Sequence, residues 1–97
     1  TYRGALAENY VAQALKTNGY QLFYWTSDSP SYEVDFVIQK EGHILPIEVK
    51  SGENTQAKSL NYFQKRYAPQ RLIRLSEKNF GSEGGLRAVP LYAAFCI

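Results

Sequence analysis

The sequence predicts an α/β domain in which the elements follow the order α-β-β-β-α-β and a mixed four-stranded sheet is flanked by helices. Three observations lead to this prediction: a helix-forming stretch at the start, three extended segments after it, and an amphipathic helical segment that precedes a further strand. Strands joined by short turns pair antiparallel, whereas a strand that follows a crossover helix pairs parallel. The sheet is therefore expected to be mixed.

The first predicted helix covers residues 2–18, which are rich in strong helix formers and end at Asn18-Gly19, a common C-terminal signal. On a helical wheel, Glu8 lies on the apolar arc together with Val11 and Leu15. A carboxylate on a packing face costs free energy unless it is paired or bound to a ligand. Glu8 is therefore a candidate functional residue.

The first predicted strand covers residues 20–26 and is rich in aromatic side chains. Phe23, Tyr24 and Trp25 have two interpretations, because aromatic rings serve both as core residues and as platforms on which nucleic-acid bases stack. The favoured interpretation is that these rings belong to a core strand.

The next two strands form a predicted hairpin, residues 33–38 and 44–50, around a turn at 41–43. Because successive side chains of a strand alternate between its two faces, Asp35 is expected on the opposite face from the apolar residues of the first hairpin strand. Those apolar residues are Val34, Phe36 and Ile38.

The polar face of this hairpin carries the most informative residues of the chain. Asp35 on one strand comes close to Glu48 and Lys50 on the other if the two polar faces coincide. Clustered carboxylates repel one another unless a cation lies among them, and oxygen ligands of this kind suit Mg²⁺ or Mn²⁺. The alternative is a solvated hairpin face on which these side chains form cross-strand ion pairs.

The second half of the chain predicts a helix over residues 57–67, with Leu60, Phe63 and Tyr67 on one face, followed by a fourth strand over residues 70–75. The remaining predicted segments are a loop at 79–85, a short strand at 87–89 and a short terminal helix that opens at Pro90. The helix at 57–67 supplies the crossover to the parallel strand.

Charge is unevenly distributed, although the net charge is only +2. Residues 33–53 contain five acids and two lysines, whereas residues 58–74 contain five bases and no acid. An acidic pocket beside a basic surface suits a metal-dependent phosphodiesterase, and a basic solvated helix face is the alternative. The candidate nucleic-acid-binding residues are Lys58, Lys65, Arg66, Arg71 and Arg74.

Length and composition predict that residues 1–97 form one domain. The sequence starts at Thr1 and contains no Met, so we expect it to be a piece of a longer protein. It has no stretch of about 18 apolar residues, as a membrane span needs, and no secretory leader. The single Cys excludes an internal disulfide and a cysteine zinc site. These features indicate a cytoplasmic protein.

The spacing of Asp35 and the sequence Glu48-Val49-Lys50, after a helix that carries Glu8, resembles the PD-(D/E)xK nuclease superfamily. The resemblance implies a restriction-endonuclease-like core in which Asp35 and Glu48 bind Mg²⁺ or Mn²⁺. It further implies that Lys50 positions the attacking water and stabilises the charged phosphate, and that Glu8 completes the metal shell. Val34 stands where the superfamily usually has the proline of its motif.

Nearly the whole chain also resembles a C-terminal domain of unknown function that follows an AAA+ ATPase module in many bacterial and archaeal proteins. The sequences that carry this resemblance are Phe23-Tyr24-Trp25, 33–37, 47–52, 73–76 and 89–92. The resemblance implies an upstream ATPase module in the same chain and a nucleic-acid role, with DNA as the expected partner. Residues 1–97 contain no glycine loop of the phosphate-binding type, so this domain is not expected to bind ATP by that route.

Two functions from different classes remain open. The first is a metal-dependent endonuclease that hydrolyses DNA phosphodiesters, and the presence of all four candidate site residues, Glu8, Asp35, Glu48 and Lys50, favours it. The second is a non-catalytic module that binds DNA, a partner protein or the ATPase. A dimerisation domain is a third alternative, which has only the apolar segment 91–97 in its favour.

Overall fold

The computed structural model of the chain describes residues 2–28, 32–50, 58–76, 81–83 and 85–97, except for the side chains of Tyr2, Arg3 and Glu83. The helices are α1 (Tyr2–Thr17), α2 (Lys58–Tyr67) and a 3₁₀ helix (Leu91–Cys96). The strands are β1 (Phe23–Thr26), β2 (Glu33–Lys40), β3 (His43–Val49), β4 (Leu72–Ser76), β5 (Gly81–Glu83) and β6 (Leu86–Pro90). None of the helices among these residues has the length and apolar character that a membrane crossing requires.

The strands form one mixed sheet in the order β1-β2-β3-β4-β6-β5. The first three strands are antiparallel neighbours, while β4 runs parallel to both β3 and β6. The prediction of a mixed sheet with a parallel fourth strand is confirmed, but the prediction of four strands is wrong, because the described sheet has six. Of the two additional strands, β6 corresponds to the short strand predicted at 87–89, and β5 falls in the predicted loop, where its pairing with β6 stabilises a segment that has no strand signal of its own.

The sheet separates two apolar clusters. The larger cluster includes Val11 and Leu15 of α1 and the buried alanines of the 3₁₀ helix, so these helices cover one face of the sheet. The smaller cluster joins Leu60 and Phe63 of α2 to the other face. Each helix therefore buries its apolar stripe on a different face, as the amphipathic pattern of the chain requires.

A β-bulge in β2 changes the predicted alternation of its side chains. Phe23 pairs with Val37 and Trp25 pairs with Val34, so two steps along β1 match three along β2. One residue of β2 is therefore unmatched between Val34 and Val37, and these two side chains both pack in the cluster beneath α2. Phe36 packs in the opposite cluster, so the prediction that Val34 shares a face with it is wrong.

The turn of the predicted hairpin consists of two residues, Glu41 and Gly42, between the paired residues Lys40 and His43. Both turn residues have positive φ, 53° for Glu41 and 81° for Gly42. This is the type I′ geometry, whose twist matches that of the flanking strands and which favours glycine at its second position.

Replacing Gly42 with alanine is expected to lower the free energy of unfolding by about 1 kcal/mol, because an L side chain is strained at this positive φ. Space is not the cause, since no neighbouring atom lies within 4 Å of the position that a Cβ would take here. Urea unfolding of Gly42→Ala measures the effect. Gly81→Ala is the matched control, because its Cβ would make only ordinary contact with Ala88. Equal stability of Gly42→Ala and the original chain would contradict the turn geometry.

Candidate functional site

The candidate site lies where β2 and β3 separate. Main-chain pairing of these strands ends at Phe36 and Ile47. Successive N–H groups of a strand point to opposite neighbours, and the Lys50 N–H donates to Leu75 O of β4 at 2.8 Å. The Val49 N–H therefore points toward β2, where Asp35 Oδ2 accepts it at 2.7 Å. The Asp35 carboxylate thus takes the place of a ladder hydrogen bond at the bulge.

Glu48 is a buried carboxylate, with only 4% of its surface exposed. Its Oε1 atom lies 3.3 Å from Lys50 Nζ. Its Oε2 atom is buried and has no hydrogen-bond partner among the described residues. Arg74 stands beside Glu48 on β4, and its Nε atom is likewise buried without a partner in the described part of the chain. Buried polar atoms are nearly always satisfied, so Glu48 Oε2 is an acceptor available to a donor or a cation at this position.

Burial is the largest influence on the pKa values of the Asp35 and Glu48 carboxylates. It raises the pKa of Asp35 to about 6, and the hydrogen bond from Val49 opposes that rise. The negative charges of Glu8 and Glu48 raise this pKa further, while Lys50 lowers it. Burial also raises the pKa of Glu48, against the lowering effects of the Lys50 and Arg74 charges. Ionising both groups in one place is therefore unfavourable unless a cation compensates.

A groove of about 410 Å³ opens beside Asp35, between the first half of α1 and the strands β1 and β2. Its polar lining includes Glu8 and Asn9 of α1 and Glu33 and Asp35 of β2. The sequence pattern placed Glu8 on a packing face, but its side chain is exposed. The fully buried residues of α1 begin at Val11, and before it Ala7 is a partly buried side chain that packs on the core. Glu8 faces the groove instead of the core.

The structure brings the four candidate residues to one region without assembling a complete ligand shell. Asp35, Glu48 and Lys50 interact where the strands part, and Glu8 is close enough for its charge to affect the pKa of Asp35. Among the described residues, no group of three or more His, Cys, Asp or Glu side chains is close enough to hold a metal ion. Asp35 therefore feels the charges of Glu48 on the hairpin and of Glu8 on α1, and the Glu8 charge raises its pKa more than the Glu48 charge does.

The five candidate bases do not share one surface. Lys58, Lys65 and Arg66 are exposed on α2. Arg71 precedes β4 and lies 4.0 Å from Glu41 in the hairpin turn, at the end of the sheet away from Lys50. Arg74 is partly buried beside Glu48. These five residues are close together in the sequence, but α2 and β4 place them in different parts of the molecule.

Two aromatic residues that the sequence assigned to the core are exposed. Because β1 is an edge strand, 72% of the Tyr24 surface and 51% of the Phe23 surface are exposed. Tyr24 lines the same groove as Asp35. Local sequence contains no signal for this, since strand order depends on pairing between distant segments. The core interpretation is confirmed in part only for Trp25, which is half-buried against α2.

Comparison with known families adds one finding to this geometry. Residues 3–94 match a family described as a domain of unknown function, DUF4143. A comparison with curated proteins finds no significant match. Because the family match spans nearly all of the 97 residues, the chain belongs to the DUF4143 family.

Proposed function

We propose that this domain is a metal-dependent phosphodiester hydrolase of the endonuclease class, acting on DNA. The observation that carries the proposal is the buried Glu48 oxygen that lacks a hydrogen-bond partner in the described structure, beside Asp35 and Lys50. A perturbed pair of carboxylates next to an ammonium group, with one of the carboxylates lining a groove, is typical of a functional site. The resemblance of Asp35 and Glu48-Val49-Lys50 to the PD-(D/E)xK pattern supports the same function.

The donor set fits a hard divalent cation. Asp35 and Glu48 supply carboxylate oxygens of the kind that Mg²⁺ and Mn²⁺ prefer, and burial makes their joint ionisation unfavourable without a cation. Glu8, exposed at the groove, is suited to an outer position. When bound, such an ion supplies Lewis acidity at a phosphoryl oxygen and lowers the pKa of water.

Val49 and Lys50 fix the positions of charged groups at the proposed site. The Val49 N–H holds the Asp35 carboxylate in one orientation at the bulge. Glu48 holds the Lys50 ammonium, whose side chain is 36% exposed and can reach a bound phosphate. There it would offset the negative charge that develops in the transition state. Lys58, Lys65 and Arg66 would contact backbone phosphates, which adds affinity without reading sequence.

A second candidate function is a binding module, and one surface favours it. Leu6 and Tyr10 of α1 and Tyr92 and Phe95 of the 3₁₀ helix are exposed large hydrophobic residues. The Tyr10 hydroxyl donates to Tyr92 O at 3.3 Å, so these exposed apolar residues belong to two helices that are in contact. Such surfaces mark protein interaction sites. An AAA+ ATPase module of the same chain is the partner that the sequence resemblance supports, and this role is compatible with hydrolysis elsewhere on the domain.

Calorimetric titration with Mn²⁺ and Mg²⁺ tests the proposed site without a guess at the substrate. The original chain is expected to show saturable binding that Asp35→Asn abolishes, because the variant loses one of two inner carboxylates. Glu33→Gln is the matched control, since Glu33 is an exposed carboxylate of the same strand and groove. Unchanged binding in Asp35→Asn, or absence of binding in the original chain, would count against a metal centre at this site.

A further inference from the structure

We infer that the groove beside Asp35 receives an unpaired nucleobase stacked on Tyr24, so that the substrate is single-stranded nucleic acid or an unpaired segment of a duplex. This inference rests on the proposed function, because it places the base next to the phosphodiester that the hairpin carboxylates would hold. It assigns a substrate class and a specificity-determining residue to that site.

Tyr24 has the position and exposure of a stacking platform. It lies on the edge strand β1 and lines the groove together with Asp35. Its ring contacts the buried Phe36 ring at a centroid distance of 5.7 Å, with 48° between the planes. This contact anchors Tyr24 to the core, while 72% of its surface is exposed. An anchored and exposed aromatic ring is the arrangement on which bases stack.

Past the edge strand β1, a second group of aromatic and basic side chains lies at α2, on the opposite face of the sheet. Trp25 contacts Phe63 and Tyr67 edge-to-face, at centroid distances of 5.2 and 5.9 Å, and its Nε1–H donates to Tyr67 Oη at 3.2 Å. The Arg66 guanidinium lies 5.3 Å from the Tyr67 ring centroid, and Lys65 is exposed beside it. Aromatic rings interleaved with basic side chains form the usual binding surface for single-stranded nucleic acid. The rings stack on the nucleobases, while the basic side chains bind the phosphate backbone.

The charge of the groove determines which part of a nucleotide enters it. Glu8, Glu33 and Asp35 line the groove, and away from the metal ion that Asp35 would bind, the Glu8 and Glu33 charges repel phosphate. The same carboxylates, together with Asn9, can accept hydrogen bonds from the amino groups of a base. The base is therefore expected inside the groove, and the backbone outside it, toward Lys50 and α2. The volume of about 410 Å³ falls in the range of small-ligand sites.

The same argument excludes an intact duplex as the preferred ligand. In a duplex the faces of the bases are already stacked on their neighbours, and only their edges are accessible in the grooves. A base can reach the face of Tyr24 only when it is unpaired or has left the stack. Single-stranded ligands should therefore bind more tightly than duplexes of the same sequence.

Fluorescence anisotropy with a fluorescein-labelled single strand of mixed sequence, in Ca²⁺ to avoid hydrolysis, tests the inference. We expect Tyr24→Ala to bind about tenfold more weakly and Tyr24→Phe to bind within about twofold of the original chain. Phe23→Ala is the matched control, because Phe23 is an exposed ring of the same strand outside the groove. Trp25 is the only tryptophan of the sequence and lines the groove, so its intrinsic fluorescence provides a second measure of binding.

Tyr24→Leu keeps an apolar contact with Phe36 but lacks a ring, so it should lose affinity as Tyr24→Ala does even if the alanine variant folds poorly. Equal affinity of the original chain and Tyr24→Leu would overturn the inference, as would a loss of the same size in Phe23→Ala or equal affinity for the matched duplex. The original chain could instead fail to bind the single-stranded nucleic acid and self-associate in a concentration-dependent way that requires Tyr24. That result would overturn the inference and assign the exposed edge strand β1 to contact with a second copy of the chain.

The metal titration separates this inference from the proposed hydrolase. If the chain binds metal but its affinity for single-stranded nucleic acid does not depend on Tyr24, only the stacking site is overturned. If the chain binds the single-stranded nucleic acid in a way that depends on Tyr24 but binds no metal, only the proposed hydrolase function is overturned.

Discussion

Asp35→Asn is expected to make the domain more stable at neutral pH while abolishing hydrolysis. The original side chain is a partly buried carboxylate whose pKa is raised to about 6, so its ionised form is unfavourable in the folded state. Asparagine carries no charge, and its side-chain oxygen can still accept the hydrogen bond from the Val49 N–H. A residue that lowers the stability of its own fold is typical of a functional site.

The sign of the pH dependence follows from the raised pKa. Between about pH 4 and pH 6 the folded chain holds a proton on Asp35 that the unfolded chain has released, so stability falls as the pH rises through this range. Each pKa unit corresponds to about 1.4 kcal/mol, and solvent screening reduces the effect for a side chain that is partly exposed. We therefore expect Asp35→Asn to raise the free energy of unfolding by about 1–2 kcal/mol at neutral pH.

Urea unfolding at a series of pH values measures this effect. The original chain should lose stability between pH 4 and pH 6 relative to Asp35→Asn, and the two curves should converge at lower pH. Glu33→Gln removes an exposed carboxylate from the same strand and should change stability by no more than about 0.5 kcal/mol. A less stable Asp35→Asn at neutral pH would show that the carboxylate stabilises the fold, contrary to the burial argument. Full hydrolysis by this variant would remove Asp35 from the proposed mechanism.

Lys50→Ala is expected to abolish hydrolysis and to destabilise the domain without unfolding it. The Lys50 ammonium lies 3.3 Å from Glu48 Oε1, and Glu48 is buried with its other oxygen lacking a hydrogen-bond partner among the described residues. Removing one partner of a buried ion pair typically costs about 3–5 kcal/mol, because it leaves an uncompensated charge. Lys50 is partly exposed and the charge of Arg74 remains, so we expect a loss of about 2 kcal/mol.

The double variant Lys50→Ala/Glu48→Gln separates charge from packing. Because the cost of Lys50→Ala arises from the Glu48 charge, the double variant should recover most of the lost stability. The cost should also shrink as the pH falls toward the ordinary range of a glutamate, where Glu48 becomes protonated in the folded chain. A pH-independent loss, or a double variant as unstable as Lys50→Ala, would assign the effect to the lysine methylenes instead.

Local sequence patterns predicted most elements of the fold, because helix propensity and strand alternation are properties of short segments. Helix α1 ends one residue before the predicted boundary, and α2 is described from Lys58 to its predicted end at Tyr67, while its predicted first residue lies outside the described residues. Alternation also placed Asp35 on the hairpin with Glu48 and Lys50, and the structure brings these side chains together. The bulge in β2 was not predictable, since it depends on how β1 and β2 pair and not on the residues of either strand alone.

Features that depend on contacts between distant segments were predicted wrongly or not at all. Glu8 lies on the apolar arc of α1, yet it is exposed at the groove, while the fully buried residues of that helix begin at Val11. Tyr24 reads as a core residue, yet it is exposed because β1 lies at an edge of the sheet. Arg71 and Arg74 are close in sequence, yet one lies beside the hairpin turn and the other beside Glu48.

The residues alone were sufficient to predict the α/β class and the parallel β4, because these follow from periodicity and chain order. The four candidate site residues were selected by chemical type and spacing, and their role stays a prediction. Tertiary packing determined the burial of Glu48, the opening between β2 and β3, and the exposure of Tyr24. The reason is that pKa values and groove shape depend on which surfaces lose water, and neighbours that are remote in sequence control that loss.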